Sequence, residues 1–249
     1  MARSACPALN ALANHGWLPR DGRNITFPVL NQAFVDAFAF DKVPPPESTK
    51  TFAQLLFAAA IMDPTNKANG NTSFDLDTIN THNGPPGEID GSLSRKDHFF
   101  GNDVAFDRHT WDIQWRLFEQ EGFVNDTYIS LPAAAAARAK HVVLKSQAHN
   151  PEFLFTQTTF RGSSGTTALY LMVLGGVTGV VRKDWVWPFF VEERIPYKEG
   201  FVPQENVSSL NLGIIVDKVV AAAPTELLCS FKPDMHCPGN GTSAAPGRR

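Results

Sequence analysis

Cys6 is the first residue of the chain whose type and position suggest chemistry. It precedes a proline, which is favoured at the first position of a helix because the amide that it lacks would have no partner there. Apolar residues at helical spacing and Gly16 as a stop predict a helix over residues 7–15. The free amides of Ala8 and Leu9 and the helix dipole then favour a thiolate at Cys6. The sequence therefore predicts an anionic sulfur that acts as a ligand or as a nucleophile.

The segment EIDGSLSRKD, residues 88–97, places several oxygen donors close together. Glu88 and Ser92 are four residues apart, so we expect them on one face of a helical turn, with the carbonyl of Ile89 between them. Oxygen ligands of this kind suit a hard divalent cation such as Mg²⁺. An ordinary run of solvated charges is the alternative interpretation.

The composition allows a substantial core and excludes several classes of protein. Hydrophobic residues make up 43% of the 249 residues, and the net charge of −3 gives no reason to expect nucleic acid or an acidic membrane as a partner. The longest apolar stretch, Ala168–Val181, is interrupted by glycines and is too short to span a bilayer. We therefore expect neither nucleic-acid binding nor a membrane span.

Helical periodicity dominates the chain, and alternating strand patterns are scarce. Trp111, Trp115 and Phe118 share one helix face and are expected to belong to the core. Helices are predicted at Pro7–His15, Asn31–Phe38, Thr49–Ile61, Asp107–Gln120, Leu131–Lys145 and Thr166–Leu174.

The chain is predicted to form one mainly α-helical domain over residues 1–249, because no internal repeat or linker divides it. Long loops are expected at residues 62–87 and 195–215. Residues 1–5 are expected to form a leader, and residues from about 236 to 249 a flexible tail.

The other two cysteines and five glycosylation motifs favour an oxidising, secreted setting. Cys229 and Cys237 lie eight residues apart, and a disulfide between them would close a loop within one chain, or either would pair between two chains. A monomer and a disulfide-linked homodimer both remain open. No signal peptide is recognisable, so a protein that stays inside the cell is the alternative. The motifs begin at Asn24, Asn71, Asn125, Asn206 and Asn240.

Three blocks of sequence resemble the fungal heme-thiolate peroxidases, the family of chloroperoxidase and the unspecific peroxygenases. They are CPALNALANHGWLPRDGRNIT (6–26), EIDGSLSRKD (88–97) and VRKDWVWPFFVEERIPYKEGFVP (181–203). Their order and spacing match over most of the chain. The resemblance implies a single-domain, mainly helical chloroperoxidase-like fold that binds heme b.

The resemblance also implies a role for the residues around the predicted sulfur. Cys6 becomes the axial ligand of the heme iron, and thiolate ligation favours cleavage of an O–O bond. Pro7, Ala8 and Leu9 surround the sulfur, and their amide groups moderate its basicity. The alternative, a small buried apolar cysteine, is the usual interpretation of a lone cysteine.

In the second block, the resemblance implies a Mg²⁺ or similar divalent ion. Its ligands are Glu88, the backbone oxygen of Ile89, Ser92 and a heme propionate. The cation offsets the cost of burying an anionic propionate. Asp90 and Arg95 support these ligands.

The sequence departs from the family at the acid–base position above the iron. Family members carry a glutamate there, whereas RGSSGTTALYLMVLGG places Thr166 at this position. Some relatives also have a histidine where this chain has Ile89. Thr167 is the nearest rival for the position, and His82 and Asp90 are further alternatives.

The pocket positions differ as well. Glycines stand at positions that line the substrate pocket in the family and would widen it, although plain loop glycines are an equal alternative. The predicted pocket residues are Gly87, Gly162, Gly165 and Leu169.

These features predict an enzyme that uses hydrogen peroxide to oxidise a small organic substrate, hydrophobic or aromatic. C–H hydroxylation, epoxidation and one-electron oxidation are the expected reactions. The loss of the glutamate keeps two alternatives open. One is a heme-dependent biosynthetic enzyme that catalyses a rearrangement or dehydration, and the other is a heme-binding protein without turnover.

Overall fold

The computed structural model describes residues 1–66, 72–82, 88–153 and 157–224. Helix makes up 56% of the described residues and strand 4%, which confirms the mainly α prediction. Within the described residues the α-helices are α1 Pro7–His15, α2 Phe27–Phe38, α3 Phe52–Met62, α4 Arg108–Glu121, α5 Leu131–His141, α6 Gln157–Gly175, α7 Lys183–Val191 and α8 Ser209–Ala222.

Two short antiparallel strand pairs tie distant parts of the chain together. β1 (Ile25–Thr26) pairs with β2 (Ser73–Phe74), and β3 (Tyr128–Ile129) pairs with β4 (Val181–Arg182). Each pair fixes the approach of a helix, because α2 follows β1 and α7 follows β4 directly.

Helix α1 begins and ends where the sequence predicted. Cys6 is its N-cap residue in an extended conformation, with Pro7 at the first helical position. Gly16 ends the helix with a φ of 81° in the left-handed region, and the amide of Trp17 donates to the carbonyl of Leu12 at 2.9 Å. This arrangement satisfies the last carbonyls of the helix and suits glycine.

The core lies between the longer helices. α5 packs between α4 and α8, and α6 packs along α8. Trp111 is fully buried and stacks on Phe190 of α7 at 4.8 Å between ring centroids. Phe118 packs edge-on against Trp111 and Trp115, which confirms the predicted aromatic cluster.

Several boundaries differ from the sequence-based prediction. α6 begins at Gln157, so Thr166 lies in the middle of that helix rather than near its start. α7 was not predicted. α8 occupies part of the predicted loop at 195–215, because Ser208 caps it by accepting from the amide of Asn211 at 3.2 Å.

The end of α5 also differs. The helix predicted to reach Lys145 is α-helical only to His141 and continues as a π-helix over Val142–Gln147. Such wider turns are frequent beside functional sites.

No described helix is both long enough and apolar enough to cross a lipid bilayer. The predicted leader is anchored to the protein, since Ala2 and Ser4 are buried. Several predicted features lie outside the described residues: Gly87, Cys229, Cys237, the tail, and the glycosylation motifs at Asn71 and Asn240.

Candidate functional site

A cavity of about 490 Å³ opens between the N-terminus of α1, helix α6 and the segment that contains Glu88. Cys6 lies on its wall, as do Glu88, Ile89 and Ser92 from the second sequence block. α6 contributes Gly162, Ser163, Gly165, Thr166, Leu169, Tyr170 and Val173. The fold therefore brings the three predicted groups of site residues to one space.

The Cys6 thiol sits where the start of α1 meets the cavity. Burial raises its pKa, whereas the amides of Leu9 and Ala8 and the positive charge of Arg95 lower it. The net direction is upward from the usual value. The sequence-based expectation of a thiolate omitted the effect of burial. Burial raises the pKa of the thiol by more than the amides at the helix terminus lower it.

The short loop before α1 is held by a reciprocal pair of hydrogen bonds. The Ser4 amide donates to Asn10 Oδ1 at 2.9 Å, and Asn10 Nδ2 donates to the Ser4 carbonyl at 2.8 Å. The Cys6 amide in turn donates to Ser4 Oγ at 3.2 Å. Because Asn10 is fully inside the protein, this network fixes the backbone that carries the thiol.

Glu193, which follows α7, extends this network across the fold. Its Oε1 accepts from Asn10 Nδ2 at 2.9 Å and forms an ion pair with Arg95. Arg95 is 1% exposed, and its Nε donates to the Val104 carbonyl at 3.1 Å. The Glu193 carboxylate therefore joins helix α1 and the second sequence block to the end of α7.

Glu193 adopts a left-handed backbone conformation with a φ of 47°. This conformation is unfavourable for a residue with a Cβ, by of order 1 kcal/mol. The contacts of the Glu193 carboxylate with Asn10 and Arg95 offset that cost. Leaving the buried Arg95 guanidinium without a partner would be less favourable still.

Glu88 is the most strongly perturbed carboxyl group beside the cavity. It is 5% exposed, and its Oε1 has no hydrogen-bond partner among the residues that the structure describes. Burial raises its pKa to about 9, and the nearby carboxylates of Asp103, Asp90 and Asp97 add to that shift. A buried acidic cluster of this kind fits a cation, which would compensate the repulsion.

The backbone around Glu88 is not the helical turn that the spacing suggested. Residues 88–96 form bends, with Gly91 at a φ of 80°. Glu88 and Ser92 nevertheless both face the cavity. The Asp97 carboxylate shapes this turn, because it accepts from the Gly91 amide at 3.0 Å and from Ser146 Oγ at 3.0 Å.

His82 lies beside Glu88 and Asp90 and is a further potential metal ligand. Its Nδ1 is 3.1 Å from Glu88 Oε2, and its Nε2 is 3.7 Å from Asp90 Oδ2. Their potential ligand atoms lie within 4.8 Å of one another. Asp90 also accepts from the His98 amide at 2.9 Å, so its carboxylate supports the loop as well.

Thr166, and not its rival Thr167, lies on the wall of the cavity. Thr166 Oγ1 donates to the Ser163 carbonyl at 2.7 Å, so its oxygen is left to accept. Thr167 is fully buried and does not line the cavity. The assignment of Thr166 to the acid–base position remains a prediction.

The predicted pocket glycines occupy different surroundings. A Cβ at Gly162 would lie 3.3 Å from Ile89 Cδ1, whereas a Cβ at Gly165 would meet nothing within 4 Å. Leu169 lines the same wall one turn later. Gly165 therefore leaves open volume in the cavity, and Gly162 makes room for Ile89.

Arg138 and Tyr170 are cavity-lining residues that the sequence analysis missed. Both are more than nine-tenths buried. A signal was present, since Arg138 falls at helical spacing from the buried residues Leu131, Ala135 and Val142. An arginine on the apolar face of an alanine-rich helix was therefore visible in the sequence.

The family model and the relatives that match this chain are peroxidases or peroxygenases. The family model "Peroxidase, family 2" matches residues 1–206. An aromatic peroxygenase of Coprinellus radians is 27% identical over 214 residues, covering 83% of this chain and 73% of that protein.

Two further relatives are similar. A chloroperoxidase of Leptoxyphium fumago is 25% identical over 256 aligned positions, covering 98% of this chain and 66% of that protein. An aromatic peroxygenase of Cyclocybe aegerita is 28% identical over 183 residues, covering 66% of this chain and 44% of that protein. The matched region thus spans less than two thirds of the length of these two relatives.

Substitution Glu193→Ala is expected to destabilise the protein by about 3 kcal/mol, because it leaves the buried Arg95 guanidinium without its carboxylate. Glu192→Ala is the matched control. Its carboxylate is exposed and pairs with Arg194 at 2.6 Å, so a loss below about 1 kcal/mol is expected. Urea unfolding of both variants measures the difference, and equal losses would contradict the role assigned to Glu193.

Proposed function

Because the chain belongs to peroxidase family 2, which implies heme and a peroxide-dependent oxidoreductase, we propose that it is a heme-thiolate peroxygenase. In this proposal it uses hydrogen peroxide to oxidise small organic substrates by C–H hydroxylation, epoxidation and one-electron oxidation. The observation that carries the proposal is one cavity that joins the Cys6 thiol, the Glu88 block and Thr166.

The residues present fit a heme. The cavity volume of about 490 Å³ lies within the range of roughly 300–1,000 Å³ usual for ligand and cofactor sites. The Cys6 thiol at the start of α1 and the buried Glu88 carboxyl group, whose Oε1 has no partner among the described residues, both face it. We assign Cys6 as the ligand of the iron. Thiolate-ligated heme iron supplies the cleavage of the O–O bond of peroxide.

The protein's part at Cys6 is to hold the sulfur in one place. The amides of Leu9 and Ala8 act on it and lower its pKa against the effect of burial. Such donors reduce the electron density that the sulfur passes to a metal. The network of Ser4, Asn10 and Glu193 keeps these amides in register with the thiol.

We assign Glu88, the Ile89 carbonyl and Ser92 to a Mg²⁺ ion. The support is Glu88 Oε1, which is buried beside other carboxylates and has no hydrogen-bond partner among the described residues. In this proposal the ion neutralises both this cluster and a carboxylate of the cofactor.

Thr166 limits the proton chemistry of the site. Since its own proton is donated to the Ser163 carbonyl at 2.7 Å, its oxygen can accept a hydrogen bond from peroxide or hold a water. A hydroxyl cannot take up a proton at neutral pH as a carboxylate does, and positioned proton transfer is worth about 10²–10⁴-fold in rate. Slow peroxide activation is therefore expected.

Ile89 stands where some relatives have a histidine, the second polar residue expected near the acid–base position. Its side chain packs toward Gly162, with its Cδ1 3.3 Å from where a Cβ would stand. An apolar side chain therefore occupies the place of an imidazole in this wall of the cavity. The two departures are compatible, because a carboxylate at position 166 would have no basic partner at position 89.

The remaining walls favour an apolar or aromatic substrate. Phe52, Leu55 and Leu56 of α3 line the cavity together with Phe34 and Phe189. Open space beside Gly165 admits a bulkier molecule. Desolvation of an apolar substrate against these side chains supplies binding free energy without polar contacts.

A heme-dependent rearrangement or dehydration is the second candidate function. It is favoured by one observation: the face of α6 toward the cavity carries a hydroxyl at Thr166 and glycines at 162 and 165 where the family has its acid–base carboxylate. The two candidates differ in their need for peroxide. Steady-state oxidation of a model substrate supports the peroxygenase, whereas a loaded protein inert to peroxide favours the second candidate.

We propose secretion and glycosylation on the basis of the sequence motifs. Asn24, Asn125 and Asn206 are exposed and have a positive φ, so these positions are accessible to sugar addition. Peptide mapping of the protein expressed in a eukaryotic host tests both points.

Substitution Glu88→Gln is expected to abolish bound magnesium, because the amide keeps the shape of the side chain but lacks its charge. Elemental analysis of the loaded protein measures the metal, with about one ion per chain in the wild type. Asp77→Asn, at an exposed carboxylate that pairs with Arg23, is the control and should retain the ion. Magnesium that persists in Glu88→Gln would refute this ligand assignment.

Substitution Thr166→Glu is expected to raise turnover with hydrogen peroxide at least about tenfold, since it supplies a proton acceptor on the cavity wall. Thr166→Gln has nearly the same size without a titratable group and should show no gain. Stopped-flow mixing with peroxide, at equal heme content, measures the effect. An unchanged or lower rate in Thr166→Glu would show that position 166 is not the acid–base site.

A further inference from the structure

We propose that Arg138 is the binding residue for a carboxylate group in the cavity, on the side where α5 meets α6. The inference rests on the proposed function, because the carboxylate belongs either to the cofactor or to a substrate of that site. Its basis is a buried guanidinium that is incompletely paired within the described part of the chain.

Arg138 lies on α5 and reaches α6 through one hydroxyl. It is 6% exposed, and its Nε donates to Ser163 Oγ at 2.9 Å. Nη2 contacts the same oxygen. Nη1 is buried and has no hydrogen-bond partner within the part of the chain that the structure describes. Two of the three nitrogens thus share one neutral acceptor.

The charge of Arg138 is not neutralised by any carboxylate within ion-pair distance among the described residues. Asp97 and Glu88 are near enough to oppose the effect of burial on its pKa, which falls to about 10. Asp97 bonds instead to the Gly91 amide and Ser146 Oγ. The guanidinium is therefore charged at neutral pH and has no counterion within ion-pair distance among the described residues, which is unfavourable for a buried charge.

Tyr170 provides an independent indication of the same ligand. It lies seven residues after Ser163 on α6, is 3% exposed and lines the cavity. Its hydroxyl has no partner among the described residues, and it is packed edge-on against Phe190 at 5.3 Å. The charge of Arg138 acts on this hydroxyl. Two buried donors beside one cavity favour an anion over a cation.

A carboxylate matches this site better than a spherical anion. The guanidinium presents planar N–H groups, and a carboxylate accepts from such a fork with both oxygens. Two sources supply this group: a propionate of the porphyrin itself, or the carboxylate of an acidic organic substrate. The cavity also has many apolar side chains on its walls, among them Leu93, Leu169 and Val173, which suit the body of either molecule.

The test uses the heme-loaded full chain and two measurements. The first follows the transfer of heme from the protein to excess apomyoglobin. If a propionate is the ligand, Arg138→Gln should lose heme roughly 10- to 100-fold faster than the wild type, as expected for a lost charged hydrogen bond. The control Arg161→Gln, at an exposed arginine paired with Asp217 at 2.8 Å, should not change the rate.

The second measurement titrates the loaded protein with benzoate and with benzamide, its uncharged analogue, following the heme absorption band. If a substrate carboxylate is the ligand, the wild type should bind benzoate at least about tenfold more tightly than Arg138→Gln does. Benzamide should bind both proteins equally, and Arg161→Gln should behave as the wild type.

Either response supports the proposal and identifies the source of the carboxylate. Unchanged heme transfer together with unchanged benzoate binding in Arg138→Gln overturns it. If this variant does not fold, Arg138→Lys carries the same two measurements, because it keeps the charge without the fork and should show a smaller change in the same direction. A wild-type chain that binds no heme would refute the proposed function instead, so the two failures are distinguishable.

Discussion

The ion pair between Arg95 and Glu193 is the interaction on which the cavity depends. With the hydrogen bond from Asn10 to Glu193, it connects three segments that are far apart in sequence: helix α1, the block that follows Glu88 and the end of α7. The pair sits close enough to Cys6 for both charges to affect the thiol, Arg95 lowering its pKa and Glu193 raising it. The two charges oppose each other there, so the pair acts mainly by holding the sulfur in position.

Two ionisable groups that line the cavity are incompletely hydrogen-bonded within the described residues. Glu88 has a buried oxygen without a partner and Arg138 a buried nitrogen without one, within the described residues. Each would be costly in a finished core. In the proposed function, a ligand that brings both a cation for Glu88 and a carboxylate for Arg138, as a metal-bound heme propionate would, satisfies both groups.

Local signals in the sequence were sufficient for α1 and for the aromatic cluster of α4. Pro7 and Gly16 define the first helix because each suits only one end of a helix. α6 was harder to predict, since Gly162 and Gly165 suggested a loop. Tertiary packing against α8 overrides their low helix propensity.

The site residues also divide into those predictable from the local sequence and those that depend on the tertiary structure. Short-range spacing and the family resemblance predicted Cys6, Glu88 and Ser92, and all three line the cavity, although the turn that carries Glu88 is set by the distant Asp97 and Ser146. Arg138 and Tyr170 were not predicted, because each is notable for a buried polar atom without a hydrogen-bond partner within the described residues. That property depends on the tertiary structure. The raised pKa of the Cys6 thiol was also out of reach, since burial is a property of the whole fold.

The bond between the Cys6 sulfur and the iron of a heme is the central claim, and the spectrum of the reduced protein with carbon monoxide tests it most directly. The account predicts the long-wavelength band typical of thiolate ligation in the wild type and its loss in Cys6→Ser, with the far-ultraviolet circular dichroism unchanged. A Cys6→Ser protein that keeps both its heme and an unshifted band would contradict it.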